Sequence, residues 1–321
     1  MAADGPLTGE LGVDLGGTKT ALALMDDSGA VVAEDVFPTR ADDGLEAWLR
    51  RTAEAGRRLG TVRAVGVGAA GQVDGSGMLV ATANVGGWHH VNLGARLGEI
   101  LGCPGTTDND AKVELLAEMH QGAARGAKDV FLVAVGTGVG GALAVGGRIY
   151  RGTHGFAGEI GHTVVEGGDR LCGCGRHGHL ETLTSGTGIL HSAEKRVAGG
   201  GPETKTLTAA LAHESGARAV FAAAAAGDAV AQAVLDGAAD TLGGAIASVV
   251  TLFDPEVVVL AGGVAEAGEG FWQRARRTFE ERVHATLVGT PWRPAILGEK
   301  AGAIGACLVA RSAAVAATGS R

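Results

Sequence analysis

The chain has 321 residues, a net charge of −8 and a mean hydropathy of +0.20. An acidic balance with no Lys/Arg run longer than a pair argues against nucleic acid and anionic membranes as partners, while the length suits two compact domains. Four cysteines, two of them in one CxC, do not resemble a secreted disulfide framework and fit a cytosolic metal site better. Met1–Glu10 is polar, so no signal peptide is expected and a cytoplasmic location is.

In chain order, ELGVDLGGTKTALALMD (Glu10–Asp26) alternates apolar and small residues, breaks at Gly16-Gly17 and alternates again: strand, tight turn, strand. Apolar spacing predicts a helix over 44–59, and Val62–Ala69 reads as a buried strand entering Gly71. Asp110–Gly122 reads as a helix with its N-cap signature at Asn109-Asp110. The uncharged run Val130–Gly147 is 18 residues long, but six are Gly; it reads as two strands about a turn, not a membrane span. Phe131–Gly147 thus repeats the design of Glu10–Asp26. Beyond Glu181 the pattern is mostly helical (187–197, 205–213, 217–226, 228–253), followed by one strand, Val257–Leu260, that ends in Ala261-Gly262-Gly263. A last amphipathic stretch, 301–313, is expected to pack back on the first domain. Two homologous strand-turn-strand units are the plan of an actin-like (ribonuclease H-like) ATPase fold, α/β in class, with two α/β domains and a cleft between them. The expected division is a small domain over 1–118 plus a C-terminal helix at about 301–321, and a larger domain over 119–300 that carries a metal-binding loop.

The chemistry-bearing residues fall in four groups. In Asp14-Leu15-Gly16-Gly17-Thr18-Lys19-Thr20 the glycines let a phosphate approach backbone N–H groups and the Thr18 hydroxyl; Asp14 at the strand end suits a hydrated Mg2+. Such a turn alone is also a common hairpin. The second turn, Gly136-Thr137-Gly138-Val139-Gly140-Gly141, at the matching place of a duplicated fold makes nucleotide binding the better reading, with Gly262 and Gly263 as a further Gly pair. Asp110 is the candidate base for a hydroxyl attacking a γ-phosphoryl group, although a helix N-terminus also favours a carboxylate on its own account. Asn109 beside it offers an amide for a sugar hydroxyl. In GEIGHTVVEGGDRLCGCGRHGHLE (Gly158–Glu181), Cys172 and Cys174 are the surest ligands of a structural zinc, with His162, His177 and His179 available to complete a tetrahedron. Glu159, His162 and Glu181, tied to that loop, could discriminate sugar hydroxyls.

These motifs, in order and at matching spacing from about Leu11 to about Gly305, resemble the ROK family of sugar kinases and sugar-responsive repressors. The resemblance implies ATP and sugar in the cleft, with Asp110 as base. It implies sugar contacts from Asn109, Glu159, His162 and Glu181, and from the loop positions Gly71 and Asn84. It implies zinc held by His162, Cys172, Cys174 and His179, the last replacing the family's usual third Cys. Lys112 stands where Asn is commoner, and Ala70 where Pro usually precedes Gly71.

The expected activity is ATP-dependent phosphorylation of a hexose, glucose at its 6-hydroxyl before others, with a glucose-like aminosugar or C7 cyclitol as the alternative. Mg2+ and a structural Zn2+ are the expected metals, and a homodimer or homotetramer the expected assembly. A repressor of this fold would need a helix-turn-helix region before the first strand, which here begins by about residue 10; a non-catalytic sugar sensor is disfavoured by Asp110 and both phosphate turns.

Overall fold

The computed structural model describes residues 7–82, 85, 87–165, 169–264 and 268–319; Asn84, an expected sugar contact, lies outside them. The elements are β1 (Thr8–Leu15), β2 (Lys19–Met25), β3 (Val31–Pro38), α1 (Leu45–Leu59), β4 (Thr61–Ala69), β5 (Gln72–Val73), β6 (Leu79–Ala81), α2 (Leu93–Leu101), β7 (Gly105–Asn109) and α3 (Asp110–Gln121). They continue with β8 (Val130–Val135), β9 (Val139–Val145), β10 (Arg148–Ile149), α4 (Glu181–Thr184), α5 (Gly186–Ala198), α6 (Lys205–His213), α7 (Ala217–Ala225), α8 (Ala229–Phe253), β11 (Val257–Ala261), α9 (Glu269–Arg282), β12 (Trp292–Pro294) and α10 (Ala301–Gly319). The chain forms two compact units, one from Met1–Gly126, Ala142–Ala157 and Ile296–Arg321, the other from Ala127–Gly141 and Gly158–Ala295.

In the first unit the sheet order is β3-β2-β1-β4-β7, with β1 antiparallel to β2 and parallel to β4. Successive side chains of a strand face opposite ways. Leu11, Val13 and Leu15 of β1 therefore join Trp48, Leu49, Leu93 and Leu97 from α1 and α2 in one buried cluster, while Gly12 and Asp14 face α10. That helix lies directly on the sheet: a Cβ on Gly12 would stand 2.0 Å from the Ala303 carbonyl oxygen, and one on Gly66 2.0 Å from that of Ala306. Glycine at both positions makes this approach possible.

The second sheet has the order β10-β9-β8-β11-β12, with β8, β11 and β12 parallel. It repeats the first in order, a strand pair on one side and two added parallel strands on the other, as the actin-like plan requires. The second unit contains α8, long and apolar enough by composition to cross a membrane, but Leu242, Ile246 and Val250 of that helix are buried.

Of the elements not read from the sequence, which also include β5, β6, α2, β7, β10 and α4, three show why. β3 is an edge strand carrying Glu34 and Asp35, and its polarity hides the period. α9 is charged along most of its length, burying Phe271, Ala275, Thr278 and Phe279. β12 has only three residues, one of them Pro294, and exists because β11 pairs with it.

Candidate active site

In the first unit the β1–β2 turn is tied from two sides. The Gly16 N–H donates to the Lys19 carbonyl at 3.1 Å, and the Thr39 hydroxyl donates to the Gly16 carbonyl at 2.7 Å. Gly17, Thr18 and Lys19 remain exposed, with the Lys19 ammonium 2.7 Å from the Glu299 carboxylate. Asp14, at the end of β1, is pressed against the start of α10, where a Cβ on Gly302 would stand 2.4 Å from its carboxyl carbon. Burial, then the charge of Asp110, raises its pKa to about 7, against the opposing pull of Lys19.

Asp110 opens α3. Its Oδ1 accepts from the Asn109 side-chain amide at 2.8 Å and from the Ala111 N–H at 2.9 Å. Asn109 is the helix cap, accepting the Lys112 N–H at 3.2 Å, and its amide also donates to the Gly71 carbonyl at 3.0 Å. One amide group thus links Gly71, Asn109 and Asp110, three of the residues singled out from the sequence. Two further carboxylates were given no role in the sequence reading. Glu114, one helical turn beyond Asp110, has its pKa raised to about 8 by burial and by the charges of Asp110, Glu118 and Asp14; its i,i+4 spacing was the available signal. Asp108, immediately before Asn109, takes the Arg151 guanidinium. Asp14 is desolvated and feels the charge of Asp110; such a carboxylate pair suits a hard dication, whose charge removes their mutual repulsion.

In the second unit the Gly136–Gly138 turn is closed by the Gly136 N–H on the Gly138 carbonyl at 2.9 Å. The Gly136 carbonyl accepts the Gly186 N–H at the start of α5, and the Thr137 carbonyl accepts the Thr187 hydroxyl at 2.9 Å. Thr137 and Gly138 are exposed, and a Cβ on Gly138 would lie 3.1 Å from Glu181 Oε2. The turn and the first residue of α4 are therefore neighbours. Gly262, with φ of +86°, follows β11 against the end of β8: a Cβ there would stand 2.5 Å from the Val135 carbonyl. Gly263 beside it is exposed. Glu159 precedes a short helical turn, Ile160–His162, and Gly161 of that turn packs against the Val139 carbonyl so closely that a Cβ would stand 2.0 Å away.

His162, Cys172, Cys174 and His179 converge, with one ligand atom of each within 4.8 Å of all the others. Nδ1 of His162 and Nδ1 of His179 are 3.3 Å apart, Cys172 Sγ lies 3.7 Å from the former and Cys174 Sγ 3.2 Å from the latter. Tetrahedral bonds of about 2.3 Å to sulfur and about 2.0 Å to nitrogen put neighbouring donors roughly 3.3 to 3.8 Å apart, so the donor set fits zinc. His177 stands outside the cluster, its Nδ1 2.6 Å from the Asp169 carbonyl. Burial first, then the neighbouring Glu181, which accepts from its thiol at 2.7 Å, raises Cys172 to about 12; a dication deprotonates such a thiol and releases its proton. Arg170 fastens the loop to the helices behind it, donating to the Thr182 carbonyl at 2.6 Å.

The profile of the ROK family matches residues 10–313. The chain belongs to the ROK family. It is 36% identical over 310 residues to a glucokinase of Halalkalibacterium halodurans, covering 92% of each chain. It superposes with a TM-score of 0.80 on a ROK hexokinase of Thermus thermophilus, 35% identical, covering 94% of this chain and 98% of that one. A ROK glucokinase of Streptomyces griseus, solved with glucose and AMPPNP, is 30% identical with a TM-score of 0.78 over 96% of this chain and all of the other.

Proposed function

We propose that this ROK protein is an ATP-dependent glucokinase that transfers the γ-phosphoryl group to the 6-hydroxyl of glucose. The observation that carries the reading is the hydrogen-bonded run Gly71–Asn109–Asp110, which orients a carboxylate at the start of α3. As the sugar oxygen forms its bond to the γ-phosphorus and the bond to the β-phosphate oxygen breaks, Asp110 takes the hydroxyl proton. Asn109 and Gly71 hold the sugar on one side of the reaction. Glu159, His162 and Glu181, with Asn84, complete the set of sugar contacts. The β1–β2 turn, closed by Gly16 and exposed at Gly17, Thr18 and Lys19, holds the phosphates together with Thr137-Gly138 and Gly262-Gly263, through backbone N–H groups. Asp14 would hold Mg2+, which would supply charge neutralisation on the transferred phosphoryl oxygens. Zn2+ at His162, Cys172, Cys174 and His179 has a structural role, fixing the loop that carries Glu159 and Glu181. The enzyme acts in the cytoplasm as a homodimer or homotetramer.

The test is ADP release measured across glucose, mannose, fructose, glucosamine, N-acetylmannosamine and a C7 cyclitol. Highest kcat/KM with glucose supports the glucokinase reading. Highest kcat/KM with an aminosugar or the cyclitol replaces it.

A further inference from the structure

We infer that Arg151 is a positioning residue for phosphoryl transfer, acting through Asp108 on the Asn109–Asp110 pair. The inference rests on the kinase reading above.

Asp108 is a carboxylate split between two tasks. Its Oδ1 accepts the Asn109 backbone N–H at 2.9 Å, and its Oδ2 accepts from both Nε and Nη2 of Arg151, the former at 3.0 Å. Its side chain is 8% exposed, against 43% for Arg151. The carboxylate is therefore removed from water and charge-compensated by a group that water still reaches. The next residue along, Asn109, holds Gly71 with the same amide that holds Asp110. A shift of Asp108 is thus passed by two short bonds to the base.

Strand position explains why this segment needs a second hold. β7 is the edge strand of its sheet, paired to β4 on one side, and that pairing stops at Asn109 opposite Ala69. Arg151 supplies a side-chain anchor at the strand's end, and its own backbone is anchored separately. The Ala157 N–H donates to the Arg151 carbonyl at 3.0 Å. Gly155, with φ of +91°, lies so near the Asp74–Gly75 backbone that a Cβ would stand 2.6 Å from it. The guanidinium is therefore a strut between a fixed loop and the segment bearing the base. Two donors in one plane are a property of Arg that Lys does not share.

The experiment compares wild type, Arg151→Ala and Arg151→Lys for kcat, sugar KM and Tm, with and without guanidinium chloride against a sodium chloride control. A misplaced reacting group costs up to roughly 100-fold in rate, so Arg151→Ala is expected to lose about 10- to 100-fold in kcat while sugar KM moves by a small factor. Millimolar guanidinium is expected to restore part of that kcat in Arg151→Ala and none in wild type, and Arg151→Lys to stay impaired. An active wild type with an unaltered kcat in Arg151→Ala overturns the role of Arg151 alone. So does a kcat loss that tracks a collapsed thermal transition with no guanidinium rescue, since that outcome is purely structural. A wild type that phosphorylates none of the sugars overturns the kinase reading instead.

Discussion

The Asn109 side-chain amide donates to Asp110 Oδ1 at 2.8 Å and so holds that carboxylate in a fixed orientation at the start of α3. Asp110→Asn removes the acceptor but keeps the shape and size of the group. It is expected to lower kcat on the order of 10² to 10⁴-fold, the usual contribution of a general base, with sugar affinity by calorimetry close to wild type. Wild-type kcat in this variant would exclude Asp110 as the base.

Asp14 carries a stability cost that depends on pH. Its folded pKa, about 7, lies above the ordinary aspartate value of 3.8, so the folded state binds more protons over the interval between those values. Stability contributed by this group is therefore full below about pH 4 and is lost as pH rises to about 7. Asp14→Asn is expected to raise Tm, and to raise it more at pH 8 than at pH 5, by up to about 4 kcal/mol in stability from the size of the shift, while phosphoryl transfer falls. Glu114→Gln follows the same sign, its window extending to about pH 8. Thermal melts of both variants at the two pH values decide this, and a Tm gain that is equal at both would contradict it.

The loop cluster should hold one zinc per chain, read by elemental analysis of protein purified without added metal. His179→Ala is expected to release the metal and His177→Ala to retain it, because His177 faces the Asp169 carbonyl instead. Replacing Cys172 and Cys174 together by Ser is expected to lower Tm and sugar affinity in parallel, since metal binding and loop order are one equilibrium. Metal retained in His179→Ala would assign the fourth ligand elsewhere.

Gly12→Ala is expected to destabilise the first unit by at least the roughly 1 to 3 kcal/mol typical of overpacking. The new methyl group meets the Ala303 backbone, which no side-chain rotation relieves. Gly263→Ala, where a Cβ meets nothing within 4 Å, is the matched control for denaturant melts. Equal midpoints for the two variants would show that α10 can move away from β1 at little cost.

Much of this architecture is legible in the sequence, because β1, β2, β8 and β9 repeat one alternating pattern about two Gly turns, and α6 and α8 carry clear helical periods. Edge and short elements escape: β3 and β12 take their strand character from neighbours rather than from their own residues. The same distinction applies to the site. Asn109, Asp110 and the Cys and His cluster are dense in chemically informative residue types over short stretches. Glu114 was visible in principle as the next turn of a helix already drawn. Arg151 was not, because its meaning lies in Asp108, 43 residues earlier in the chain.

The packing of α10 against Gly12 and Gly66 also sets an order of events during synthesis. The sheet of the first unit is emitted early, yet the helix that covers one of its faces is emitted after every strand of the second. Until residues 301–319 leave the ribosome, the groove over those two glycines has no occupant from its own chain. The second unit, built from segments ending at Ala295, has all its parts first. Every segment of the second unit is therefore synthesised before the first unit has its last element, the reverse of the usual N-terminal-first order, and the unit that bears the proposed base is the later to have all its parts.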